Sequence, residues 1–222
     1  MCALQARGQR GLMQNGLSKW KLLALIASFW VIADQVTKYL AVEHLTAAFL
    51  VARARTFPEK LGAFVSQKDL LERGLASPIP VTVTPFWQHR YTQNRGAAWG
   101  VLSGAGEQFR VPFFYLVSIA AVIFIFSYYR KLRTDQRYLQ IALALVLGGA
   151  VGNAIDRLLR GYVIDFIDWH WFDPGWLRPA LHWPTFNVAD SGITVGLAML
   201  FLEMLFAKKP AKAPAEPAAR KA

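Results

Sequence analysis

The stretch LQIALALVLGGAVGNAIDRLLRGYVIDFIDWHW, residues 139–171, decides the fold. Its first part, Leu139 to Val151, carries no charge. The part that follows holds Asp156, Asp165 and Asp168, with Asp173 just beyond. An apolar run continued to about Leu159 reaches the ~20 residues that cross a bilayer. A carboxylate at the centre of lipid costs roughly 2.5–3.5 kcal/mol on insertion scales. Aspartates crowded at the end of such a run therefore mark a polar site or network built at the edge of the membrane.

Working outward, three further runs have the same character: Trp20 to about Val42, Val111 to Tyr129, and Val188 to Ala207. Hydrophobic residues make up 55% of the 222. A soluble helical bundle would give its helices a polar face, and VPFFYLVSIAAVIFIFSYY (111–129) has none. The chain reads as an all-α polytopic membrane protein with four transmembrane helices. The net charge is +11, but the basic residues flank the spans instead of forming a nucleic-acid face. Arg7, Arg10, Lys19 and Lys21 precede the first, Arg130 to Arg137 separate the second and third, and Lys208, Lys209 and Lys212 follow the fourth. The positive-inside pattern puts both termini and the middle loop in the cytoplasm. Residues 1–19 become a cytoplasmic tail and 20–207 the membrane domain, with spans at about 20–42, 111–129, 139–159 and 188–207. Segments 43–110 and 160–187 lie outside, and 208–222, an Ala/Pro/Lys tract, forms a disordered cytoplasmic tail. The single cysteine, Cys2, excludes an intrachain disulfide and a thiolate metal cluster.

In the first outer segment, a short helix is expected near 67–76. VTVTPFWQHRYTQNRGAAWGVL (81–102) reads as a hairpin around an Asn-Arg-Gly turn, lying on the membrane surface. In the second, Trp169, Trp171, Trp176 and Trp183 favour the headgroup layer.

This topology brings distant polar residues to one depth. Asp156 and Arg157 end the third span, Asn187 and Asp190 open the fourth, and Asp34 lies about 21 Å along the first at 1.5 Å per residue. Asp34 and Lys38 are four apart and can pair. Gly148 and Gly152, like Gly192 and Gly196, let helices approach closely, so that Asp165 and Asp190 come within reach of each other. Two carboxylates in a partly dry site cannot both ionise cheaply, which suits aspartic-protease chemistry. By physics alone a small proton-coupled transporter using an outer-leaflet carboxylate pair fits nearly as well, and a non-catalytic assembly subunit is a third reading. Asp156–Arg157 reads as an ion pair, Asp168 and Asp173 as solvated, and His170 and His182 as interfacial residues beside tryptophans.

The ordered blocks DQVTK (34–38), NRGAAWG (94–100), GNAIDR (152–157), GYVIDFID (161–168) and FNVAD (186–190) resemble the signature of lipoprotein signal peptidase, signal peptidase II. The resemblance implies an intramembrane aspartic endopeptidase of the bacterial inner membrane, cutting prolipoproteins just before a diacylglyceryl-modified cysteine. It implies a four-helix bundle with a small periplasmic β-cradle, which the hairpin at 81–102 fits. Asp165 and Asp190 would be the catalytic pair. Asp34, Lys38, Asn94, Gly96, Asn153, Asp156, Arg157, Asn187 and Ala189 would bind substrate or support the site. It implies no metal and no cofactor, sensitivity to globomycin, and a monomer whose partners are diacylglyceryl-modified prolipoproteins and membrane lipids, with no nucleic acid. The chain departs from the family at Trp99, where phenylalanine is usual, and in the longer segment 43–80.

Overall fold

The structure, a computed structural model, describes residues 18–66, 68–96, 106–171 and 181–206. In chain order these form helix α1 (Lys19–Leu45), short helices α2 (Ala48–Val51) and α3 (Phe57–Ser66), strands β1 (Val81–Thr84) and β2 (Trp87–Asn94), helices α4 (Glu107–Lys131) and α5 (Arg137–Arg160), strands β3 (Val163–Trp171) and β4 (Leu181–His182), and helix α6 (Val188–Phe206). Four helices, α1, α4, α5 and α6, are long and apolar enough to cross a membrane. Their outward faces carry large apolar side chains such as Phe29, Ile32, Ile123 and Phe201. Lipid, not a protein core, suits such faces.

α5 is the centre of the bundle and the most buried of the four. Its small residues explain how close its neighbours come. A Cβ added at Gly149 would stand 2.3 Å from the Ala189 carbonyl oxygen of α6, and one at Gly152 would stand 2.6 Å from Asp34 Oδ2 of α1. Close backbone approach replaces the hydrophobic drive that lipid cannot supply. At the opposite end from the sheet, Lys19 Nζ donates to the carbonyls of Arg130 at 2.9 Å and Leu132 at 2.7 Å. It answers the orphan carbonyls at the end of α4 and their negative dipole end.

The four strands make one sheet in the order β1-β2-β3-β4. β2 and β3 run antiparallel, with Thr92 opposite Asp165 and Gln88 opposite Asp168. Beneath them, Phe49, Phe64, Tyr91, Ile164 and Phe166 form an apolar cluster with the end of α1.

Three expectations change. The hairpin turns at Pro85–Phe86, between Thr84 and Trp87, and the Asn-Arg-Gly segment instead ends β2. Residues 97–102 of the expected hairpin lie outside the described residues. The short helix is Phe57–Ser66, not 67–76. Pro58 sits in its first turn, where a missing N–H costs nothing, and Glu59 Oε2 accepts the Arg55 and Thr56 N–H groups. The segment after α5, for which the sequence suggested no element, opens with a nine-residue strand, β3.

Candidate active site

Gly161, at φ 82°, ends α5 and turns the chain into β3, a conformation that glycine adopts without strain. The turn carries Asp165 back over the ends of α5 and α6. Asp165 is 1% exposed. Its Oδ1 accepts Asn187 Nδ2 at 2.7 Å, and the Asn94 amide adds a second hydrogen bond. Burial first, and then the charge of Asp190, push its carboxyl up to about 8.

Asp190 stands in the first turn of α6. The Asn187 side chain accepts the Asp190 N–H at 2.9 Å, and Asp190 Oδ2 accepts the Asn187 N–H at 3.2 Å. This reciprocal exchange is a capping box. Asp190 Oδ1 accepts Asn153 Nδ2 at 2.7 Å. One asparagine, Asn187, thus holds both carboxylates, through its amide nitrogen on one side and its cap on the other.

Behind the pair lies a buried charge network. Lys38 Nζ has three acceptors for its three protons: Asp34 Oδ2 at 2.8 Å, Asp156 Oδ2 at 2.9 Å and Asn153 Oδ1 at 3.1 Å. Asp156 Oδ1 accepts Arg160 Nη1 at 3.0 Å, and its Oδ2 accepts the Ile164 N–H at 3.0 Å, which fixes the start of β3. Asp34 Oδ1 accepts the Ala189 N–H at 2.9 Å, which fixes the start of α6. Two carboxylates and two cations, all buried, balance in charge, as buried ions must.

Asp34, Lys38, Asn94, Asn153, Asp156, Asn187, Ala189, Asp165 and Asp190 thus form one connected network. Gly96 lies beside it, its N–H donating to Asn94 Oδ1 at 3.0 Å. Arg157 does not pair with Asp156. Its guanidinium sits 4.7 Å from the centre of the Phe114 ring, and Nη2 lies 3.5 Å from the Gly96 carbonyl. Arg160 takes the place expected of Arg157.

Asp168 is not solvated. It is 2% exposed, with Gln88 Nε2 donating to Oδ2 at 2.6 Å and His182 Nδ1 donating to Oδ1 at 2.8 Å. Asp173 lies outside the described residues. Sequence reading also missed Gln35, whose Nε2 lies 3.1 Å from Asp34 Oδ2 and 3.3 Å from Asp156 Oδ1, and Trp30, whose Nε1 donates to the Val188 carbonyl at 2.9 Å. Gln35 stands inside the DQVTK block beside Asp34, a position that could have drawn notice.

A cavity of about 600 Å³ opens beside the network, lined by Thr37, Leu40 and Ala41 of α1, Trp87 of β2, Ile167 of β3 and Val188 of α6. A carboxyl that keeps its proton beside a second carboxylate can donate to a carbonyl while its neighbour accepts a proton from water.

Residues 26–206 match the family model described as signal peptidase (SPase) II. A lipoprotein signal peptidase of Anaeromyxobacter sp. (strain Fw109-5) is 54% identical over 90% of this chain and 92% of its own length. The lipoprotein signal peptidase of Bacillus velezensis (strain DSM 23117 / BGSC 10A6 / LMG 26770 / FZB42) is 38% identical over 83% of this chain and 94% of its own. A solved bacterial membrane enzyme, determined by the in meso method at 2.3 Å, is 30% identical with a TM-score of 0.57, over 86% of this chain and 94% of that one.

Proposed function

This chain belongs to the signal peptidase II family, and on that premise we propose that it removes signal peptides from bacterial prolipoproteins as an aspartic endopeptidase, with Asp165 and Asp190 as its catalytic pair. It is a multi-pass membrane peptidase. The reading places it in the bacterial inner membrane as a monomer. Arg130, Lys131, Arg133 and Arg137 between α4 and α5 then face the cytoplasm with the termini, and the sheet faces the periplasm.

The observation that carries the reading is the joint hold of Asn187 on both carboxylates. Asp165, protonated up to about 8, donates its proton toward the carbonyl oxygen of the scissile bond. Asp190 accepts a proton from the attacking water. The tetrahedral intermediate collapses as that proton passes to the leaving amine, and Asp165 recovers its own. The cut falls just before the diacylglyceryl-modified cysteine. Each buried CH₂ of the lipid contributes about 0.8 kcal/mol, and the apolar cavity beside the network suits an acyl chain.

The test is cleavage of a diacylglyceryl-modified prolipoprotein peptide by purified protein, normalised to folded enzyme. Asp165→Asn and Asp190→Asn keep volume but cannot cycle a proton. Each is expected to lose on the order of 10⁴-fold in rate, as coupled catalytic residues do. Asp135, 62% exposed in the turn between α4 and α5, is the control, and Asp135→Asn should cleave normally. Substantial cleavage by Asp190→Asn would overturn the assignment.

The transporter reading finds no support in the relatives, which are named as peptidases. In the described part of α4, from Pro112 to Tyr129, no charged residue interrupts the span.

A further inference from the structure

At the far end of β3 the sheet brings together three residues that the peptidase chemistry leaves unused. Asp168 and His170 stand two apart on one strand, so their side chains share a face. The register sets His182 of β4 directly opposite His170. One ligand atom from each of the three lies within 4.8 Å of the others, and the two imidazole rings are 5.5 Å apart, tilted by 32°.

We propose that Asp168, His170 and His182 bind one divalent transition ion of the zinc class, which staples β4 to β3. Two imidazoles and a carboxylate are a donor set that suits zinc and its neighbours rather than magnesium or calcium. Zinc bonds to nitrogen and oxygen of ~2.0–2.1 Å put tetrahedral ligands ~3.3 Å apart, a spacing these side chains reach by small rotations. His170 Nδ1 is buried and has no hydrogen-bond partner among the described residues, and a buried polar atom left so requires an explanation. An ion at the centre supplies one.

The carboxylate is already aimed. Gln88 Nε2 holds Asp168 Oδ2 at 2.6 Å, Arg90 Nε lies 3.6 Å from the same oxygen, and Oδ1 faces His182. Such outer partners orient a metal ligand. His182 is 38% exposed, so the ion is reached from outside and keeps a position for water. β4 pairs with β3 at only two positions, His170↔His182 and Trp171↔Leu181, a short edge that a cross-strand ligand set would fasten. Asp168 stands three residues past Asp165 and hence on the other face of β3. The role is structural, not part of the peptide hydrolysis.

The experiment uses the full chain in detergent micelles, purified without a histidine tag and stripped with chelator. Zn²⁺ is titrated against a chromophoric competitor, and Co²⁺ is added as a spectroscopic probe. One equivalent of Zn²⁺ per chain is expected, with a tetrahedral Co²⁺ absorption that Zn²⁺ displaces. His182→Ala, at an exposed edge, and His170→Gln should each weaken Zn²⁺ binding at least ~10-fold while the protein elutes as wild type. Gln88→Ala should weaken it ~10–100-fold through the lost orientation of Asp168. His44→Ala and His89→Ala should leave it unchanged. Binding below half an equivalent, or equal affinity in wild type and His182→Ala, would overturn the proposal. So would a loss in His44→Ala as large as that in His182→Ala. The readout is metal binding, independent of cleavage.

Discussion

Asp165 is buried beside a second carboxylate, and that position governs how pH acts on the protein. An aspartate in an unfolded chain ionises near 4, whereas Asp165 in the fold keeps its proton up to about 8. Between those values the folded state holds the extra proton, so stability falls as pH rises from about 4 to about 8 and then levels. Asp165→Asn removes that loss. Its Tm should exceed that of the wild type at pH 8, with the gap closing toward pH 4; a difference independent of pH would refute the assignment. Cleavage by the wild type should fall as pH rises through about 8, as the proton donor is lost. A second contrast concerns two neighbouring arginines. Asp156 pairs with Arg160, one turn on, so Arg160→Met strands a buried charge and should cost about 3–5 kcal/mol. Arg157 instead lies where its charge reaches Asp190 and Asp165. Arg157→Met should lower the cleavage rate with a smaller loss of stability; equal losses of stability in urea or SDS unfolding would reject the distinction. The sequence showed most of the polar network because its members sit in short ordered blocks at helix ends. The pairing expected of Arg157 fails because residues i and i+1 diverge on a helix while i and i+4 align. The spacing that identified Asp34 and Lys38 identifies Asp156 and Arg160 equally well.

At the scale of elements, the long helices and the hairpin of β1 and β2 were legible, while its turn and the strands β3 and β4 were not. A span declares itself by length and apolarity, and such a signal survives without any knowledge of neighbours. β3 is harder because Val163 to Phe166 are buried on both faces, which removes the alternation that marks a strand. VIDFIDWHW is nonetheless rich in β-branched and aromatic residues. A period of two puts Asp168 on the side of Ile164 and Phe166, away from solvent. Without that strand, the same aspartate reads as solvated. The packing of α5 against α6 gives a prediction at this scale. Gly149→Ala would drive a Cβ to 2.3 Å from the Ala189 carbonyl, and backbone cannot swing aside as a side chain can. The helices must separate, displacing the α6 cap that carries Asp190. Overpacking of this kind costs about 1–3 kcal/mol, and cleavage should fall with stability. Ala at Gly62, where an added Cβ meets nothing within 4 Å, should leave both unchanged. Wild-type cleavage by Gly149→Ala would show that the α5–α6 spacing does not set the site.

For the whole molecule, the two ion pairs at the heart of the network share one property. Asp34 and Lys38 both belong to α1, and Asp156 and Arg160 both belong to α5, each pair four residues apart. A ribosome delivers α1 to the bilayer long before α5 exists, so α1 must rest in lipid without the groups that later surround it. A lone aspartate or lysine there would resist insertion by roughly 2.5–3.5 kcal/mol. A helix that carries the countercharge one turn away enters as a neutral body. Asp34→Ala and Lys38→Ala should therefore each reduce the amount of protein inserted during synthesis more than the double substitution does, measured by pulse labelling and membrane fractionation. Losses that simply add would count against it. When α5 follows, already neutral in the same way, Lys38 gains Asp156 and Asn153 as further partners. The charges of the finished protein are never bare during biogenesis; they arrive coupled, and assembly only rearranges the couples.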